Sequence, residues 1–246
     1  MQSNYENCLA ITLKWEGGDV NNPADPGGKT RWGITQATYN AFRKAHHLAA
    51  KSVFTMEKPE MLSIYKENYW DVVSGDSLPV GVDLATWDFG VNSGPSRAKN
   101  ALASVRGKGD GTMVSLIQNL CSKRMSFLRG LGTFKTFGKG WSRRVADIEA
   151  RAVKMALTAT APAGSVKPTL TAEANKAAGK AASAQTKAAG SGVAAGGATV
   201  PAASGADHWV AIGVLAVALV AALFFIWRAS HNQERARAYA QVASEG

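Results

Sequence analysis

Two carboxylates nine positions apart, Glu16 and Asp25, lie in a run unlike the rest of the chain: Glu16-Gly-Gly-Asp-Val-Asn-Asn-Pro-Ala-Asp25-Pro-Gly-Gly-Lys-Thr30-Arg-Trp-Gly33. Four glycines and two prolines sit between or beside the two acids. A segment that polar and that rich in breakers cannot be a core element. It is a loop, and a loop of this length can aim Glu16 and Asp25 into one cleft from opposite sides. Two carboxylates facing across a cleft are the minimal equipment for cutting a glycosidic bond: one protonates the leaving oxygen, and the other stabilises the cationic transition state or activates water. The other reading of the same stretch is a surface Ω-loop with scattered acids.

The elements that must hold this loop are mostly helical. A helix opens near Ser3-Asn-Tyr-Glu6, a capping-box pattern, and carries Tyr5, Cys8, Leu9 and Leu13 to a stop at Gly17-Gly18. Glu16 then falls in its last turn, where the negative end of the helix dipole favours a carboxyl that keeps its proton, as a general acid must. Further helices are expected from Thr35 to Ala45, Met56 to Trp70, Val80 to Phe89 with a stop at Gly90, Ser96 to Val105, Met113 to Phe127 and Trp141 to Leu157. Tyr69 and Trp70 read as core rather than as a sugar platform. The expected class is mainly α.

The motif resembles the signature of glycoside hydrolase family 108, N-acetylmuramidases found mostly among phage endolysins. Glu16, Gly17, Gly18, Val20, Asn21, Pro23, Asp25, Pro26, Gly27, Gly28, Thr30, Gly33, Ile34 and Thr35 carry the match. The stretches Leu78–Asp83, Asp88–Pro95, Phe127–Arg129 and Phe137–Val145 resemble the accompanying module, the predicted peptidoglycan domain. One departure is Asp19, which stands where the family carries an aromatic residue; it either removes a stacking ring or adds a negative charge beside Glu16. The resemblance implies a lysozyme-like helical domain and hydrolysis of the β-1,4 bond between N-acetylmuramic acid and N-acetylglucosamine. Glu16 is then the acid, Asp25 the second carboxylate, and Thr30 a residue that orients water, like the trio of phage lysozymes with an Asp-to-Thr interval one residue shorter. Trp32 and Asn92 in these motifs, with Arg143 and Arg144, are the candidate substrate-binding residues. Two alternatives stay open: a lytic transglycosylase using Glu16 alone, and a non-catalytic, membrane-tethered peptidoglycan-binding protein.

The chain has 246 residues and a formal charge of +10. Residues 1–120 balance 12 basic against 12 acidic side chains, whereas 121–154 carry nine basic residues against Asp147 and Glu149. That local excess points to a polyanion such as cell-wall polymer or acidic lipid; with no nucleic-acid motif beside it, nucleic acid is not an expected partner. Cys8 and Cys121 have no metal-ligand spacing, and His46, His47, His208 and His231 form no metal set, so no metal or other cofactor is expected.

Composition then divides the chain. Residues 1–75 read as the catalytic region and 76–157 as the helical module completing it. Residues 158–206, rich in Ala, Gly, Ser and Lys without an aromatic ring, read as a disordered, flexible linker. The run Trp209–Trp227 is nineteen residues without a charge, roughly 28 Å as a helix, and reads as a single transmembrane helix within 207–228. Arg228, Arg235 and Arg237 follow it, so 229–246 reads as a basic cytoplasmic tail and the N-terminal domain as periplasmic. No signal peptide is legible, because Glu6, Lys14 and Glu16 interrupt any apolar stretch. The settings expected are the inner membrane of a phage host or a membrane-bearing virion, with a bacterial secretion-assisting lysin third.

Overall fold

The stretch Val82–Gly90 becomes the buried helix around which the N-terminal half is built. The structure, a computed structural model, describes residues 4–19, 29–162, 164–190 and 206–245, with backbone alone for 206–215. It is mainly helical, as expected. In chain order come α1 (Tyr5–Thr12), β1 (Thr30–Arg31), β2 (Ile34–Thr35), α2 (Gln36–Ala45), α3 (Lys58–Tyr65), α4 (Val82–Ser93), α5 (Pro95–Val105), α6 (Met113–Arg129), α7 (Phe134–Thr160), α8 (Val166–Gly190) and α9 (Ala206–Ser244). The chain divides into two compact units, Met1–Gly132 with Met155–Thr160, and Thr133–Lys154 with Ala161–Gly246.

In the first unit every residue of α4 from Val82 to Gly90 is buried. A helix buried on all faces must be a central one. Tyr5, Tyr65, Trp70 and Trp87 cluster around it, with Tyr5 and Trp70 each edge-on or tilted to Trp87 at about 6 Å. Two buried acids of α4 tie the other helices down. Asp83 accepts from the backbone N–H of Gly81 and Leu84 and from Asn4 Nδ2 at 2.9 Å. Asp88 accepts from Thr12 Oγ1 at 2.9 Å and from Arg124 Nη1 at 2.7 Å. That last pair is 1% and 0% exposed, so it fixes the end of α1 and the middle of α6 at one point of α4. Cys8 and Cys121 are both buried thiols; burial first, then Asp83 and Asp88, holds the Cys8 thiol far above its ordinary range.

Several boundaries differ from expectation. The first helix stops at Thr12, not at the glycines; tight turns follow, with Trp15 N–H bonded to Thr12 O and Glu16 N–H to Leu13 O. Glu16 therefore lies a turn beyond the helix rather than in its last turn. Gly90 does not end α4, which runs to Ser93 and stops at Gly94, where φ is +93°. Gly90 serves close packing instead: a Cβ there would lie 3.3 Å from Pro95 Cα and 3.4 Å from Val73 Cγ1. The expected helix over Met56–Trp70 is α3 followed by a π-helical turn, Lys66–Trp70, closed by Asp71 N–H to Lys66 O at 2.9 Å.

The second unit corrects the reading of the C-terminal third. The linker expected over 158–206 is largely helix, since α7 continues to Thr160 and α8 occupies Val166–Gly190; residues 163 and 191–205 lie outside the described ones. The composition that argues against a core also favours helix, alanine above all. Its buried residues Leu170, Ala174, Ala177, Ala181, Ala184 and Ala188 recur every three or four positions, a stripe small enough for close approach of α9. The two helices run antiparallel: Lys187 lies over Phe225, while Lys180 feels Arg235.

The run Trp209–Trp227 belongs to the longer helix α9. Among the described residues no helix is long and apolar enough to cross a membrane, so the single transmembrane helix is not supported. Nor is 229–246 a free basic tail. Arg235 Nε and Nη2 donate to Glu149 Oε1 at 2.9 and 2.6 Å, and Tyr239 Oη donates to the same oxygen at 2.9 Å. Arg151 of α7 also bonds Glu245 at 3.0 and 3.2 Å. An arginine that reads as an orientation signal in sequence is here the partner of a buried acid.

Candidate active site

The site begins with a two-residue hairpin. Thr30 pairs with Thr35 and Arg31 with Ile34, antiparallel, leaving Trp32 and Gly33 as the turn. Both turn residues have positive φ, +48° and +74°. That is the pattern of a type I′ turn, whose twist matches the flanking strands. A tryptophan in left-handed backbone is uncommon and strained, and it persists only where its surroundings over-determine it. Here they do. Tyr65 Oη donates to Trp32 O at 2.7 Å. The Arg31 guanidinium stacks on the Trp32 ring at 4.3 Å, and Arg31 Nη1 donates to Phe54 O.

Gly33 brings the hairpin against the catalytic candidate. A Cβ at this position would lie 2.7 Å from Glu16 Oε2 and 2.9 Å from Tyr65 Oη. The glycine is thus required twice, by its φ and by the carboxylate resting on its Cα. Glu16 is half-buried, with its Oε1 shielded from solvent. Tyr69 stands close enough to feel it: burial first, and then the Glu16 charge, hold the Tyr69 phenol above its ordinary value. Its proton is therefore retained. The tyrosine rings at 65 and 69 lie 5.8 Å apart, at the junction of α3 with the π-helical turn, a distortion frequent at functional sites. A carboxyl held in this way beside two phenols can deliver a proton to an ether oxygen.

The other candidates are placed unequally. Thr30 sits on β1, within the hairpin. Asp25 falls outside the described residues. The ends of its loop are held: Asp19 Oδ1 is 3.8 Å from Arg31 Nε, and Lys29 O accepts from Gln36 N–H at 2.8 Å. The unusual acid at position 19 thus faces an arginine rather than adding a bare charge. Trp32 is at the turn itself. Asn92 Oδ1 accepts from Arg124 Nη2 and from Ser93 Oγ, both at 3.1 Å, so it extends the Asp88–Arg124 network. Arg143 and Arg144 belong to the second unit. Arg143 lies 3.6 Å from Glu234, and Arg144 is 6% exposed. With Arg124 buried and Arg151 paired to Asp147 and Glu245, much of the basic segment serves the interior and ion pairs rather than an open cationic face.

Two residues escaped the sequence reading. Tyr65 was not singled out, and Tyr69 was assigned to the core with Trp70. Trp70 is indeed fully buried; Tyr69 is half-buried beside Glu16. Their spacing of four put both phenols on one helical face, but nothing in the sequence said which face met the hairpin. Among the described residues no three His, Cys, Asp or Glu side chains converge as a metal site.

Residues 9–94 match the family described as glycosyl hydrolase 108. Among solved structures the chain is similar to one described as the structure of Brucella abortus SagA, with 40% identity and a TM-score of 0.54 over 62% of this chain and 95% of that one. No curated protein matches the sequence.

Proposed function

This chain belongs to the glycosyl hydrolase 108 family, lysozyme-like enzymes that degrade the cell wall, and from that premise we propose that it is an N-acetylmuramidase. The substrate is the β-1,4 bond between N-acetylmuramic acid and N-acetylglucosamine. The Glu16 carboxyl gives its proton to the leaving glycosidic oxygen. Asp25 stabilises the oxocarbenium-like sugar or holds the attacking water, and Thr30 orients that water. Water adds its hydroxyl to the anomeric carbon, and its remaining proton restores the catalytic pair. The observation that carries the reading is the Glu16 carboxyl on the Cα of Gly33, with Tyr65 and Tyr69 beside it.

The biological setting we propose is the opening of a bacterial wall, in phage host lysis or wall penetration. Because the wall lies outside the inner membrane, the catalytic unit acts on the periplasmic side; protease treatment of spheroplasts expressing the chain checks that. No transmembrane anchor forms part of the proposal.

The test is mass analysis of muropeptides released from purified sacculi. Muramidase action leaves reducing ends. Anhydro-muramic ends would replace the proposal with a lytic transglycosylase, in which Asp25→Asn keeps full rate. Binding to sacculi without any released fragment, unchanged in E16Q, would replace it with a wall-binding protein.

A further inference from the structure

We propose that the α8–α9 pair is a docking surface for an anionic phospholipid bilayer, engaged from one side without a spanning helix. Two features of the second unit meet there. The first is a cavity of about 300 Å³ between the helices, lined by Lys176, Lys180, Ser183, Lys187, Phe225 and Arg228. The lysines at 176, 180 and 187 recur at helical spacing, so α8 presents them along one face. Lys187 Nζ lies 5.9 Å from the centre of the Phe225 ring. Glu173, 3.3 Å from Lys176 Nζ, and Glu149 are the acids that offset this cluster. Removal from water, then Arg235 and Lys176, hold the Lys180 ammonium below its ordinary value. Cations crowded enough to oppose each other's charge are stabilised by an arriving anion, and a phosphate-sized group fits the volume.

The second feature adjoins the first along α9. Val217, Leu219, Val220, Leu223, Phe224 and Ile226 are all exposed, Val217 and Val220 to 71% and 67%. Large apolar side chains gathered on one stretch of helix, in water, mark an interaction surface. From 216 to 233 the chain contains no Asp or Glu. Cations beside exposed apolar side chains are the two signals that together hold a protein on a membrane surface: basic groups meet the headgroup phosphates, and the apolar ones enter the boundary of the acyl chains. An anionic wall polymer would satisfy the lysines but leave the aliphatic side chains in water, so the bilayer is the partner that uses both.

The experiment is co-sedimentation of the full chain with vesicles of phosphatidylglycerol and phosphatidylethanolamine, against vesicles of phosphatidylcholine alone. The anionic vesicles should bind at least about tenfold more protein, and added salt should reduce the difference. The double variant Lys180→Glu/Lys187→Glu should lose at least about tenfold in binding, while Lys180→Arg/Lys187→Arg keeps it. Val220→Ser/Leu223→Ser should also weaken it. Unchanged melting and unchanged cleavage of a soluble chitooligosaccharide show that these variants are folded. Equal binding to both vesicle types overturns the proposal. So does binding to sacculi with none to vesicles, which would assign the lysines to wall polymer. Carbonate-resistant insertion would overturn it in favour of a spanning helix.

Discussion

The Gly33→Ala substitution tests whether the hairpin turn holds the Glu16 carboxyl. Two costs add. At φ +74° an L-residue gives up roughly 1–2 kcal/mol, which lowers Tm by about 2–8 °C for a unit of this size. The new Cβ would also stand 2.7 Å from Glu16 Oε2, where ordinary contact begins at 3.4 Å. The carboxyl or the turn must therefore yield by about 0.7 Å, the difference of those two distances. A misplacement of about 1 Å costs on the order of a hundredfold in rate, so a loss of roughly 30- to 100-fold is expected. Initial rates of sacculus clearing measure the second cost, and calorimetry the first. Gly18→Ala is the control: it lies in the same loop, has open space where its Cβ would go, and should stay within a few fold of the parent. A Gly33→Ala enzyme retaining more than half the parent rate refutes the reasoning. So does a Gly18→Ala enzyme that is equally damaged.

Glu16→Gln should lose at least about a hundredfold in rate with Tm unchanged, the low end for removing a general acid; near-normal clearing of sacculi excludes it from the acid role. Tyr65→Phe removes the donor to Trp32 O and should cost about 1 kcal/mol in a denaturant melt, with kcat falling more than KM rises. Arg124→Met strands Asp88 in the core and should cost about 3–5 kcal/mol; adding Asp88→Asn should recover part of that in a double-mutant cycle. Burial holds the phenols of Tyr5, Tyr39 and Tyr69 and the Cys8 thiol above their ordinary values. Each group keeps its proton more firmly when folded. Their contribution is therefore complete below the unfolded values, about 8.5 for the thiol and about 10 for the phenols, and is lost as pH rises through the folded ones. Chemical denaturation from pH 7 to 11 should show stability falling only on the alkaline side; a fall beginning near pH 7 contradicts this.

The candidate loop stood out in the sequence because glycine and proline break regular structure; its residues 20–28 lie outside the described ones. Helix existence was legible from apolar spacing, and Thr35, where a helix was expected to start, caps it by accepting from Thr38 N–H at 3.2 Å. Gly90 misled because a glycine serves equally to end a helix or to let two backbones approach; only the neighbours, Pro95 and Val73, decide. The tyrosines were hidden for a related reason. A π-helical turn alters which side chains share a face, and its cause is tertiary. Alanine misled in α8, since a small apolar side chain looks like linker until a second helix comes close enough to bury it. Asp88 lay within a motif stretch and Arg124 within the basic segment, and they prove to be a buried pair that aligns three helices.

The Glu149 cluster also sets an order in time. Glu149 and its partners Arg235 and Tyr239 are 86 and 90 positions apart. At synthesis rates of roughly 5–20 residues per second, the acid waits on the order of 4–17 s before its arginine has even been made. Residues 1–132 can therefore begin to pack around α4 while the chain is growing, whereas the second unit closes only once Arg235 and Tyr239 have been made. A nascent chain stalled before Arg235 would carry an assembling hairpin and an α7 still awaiting the partners of its buried acid.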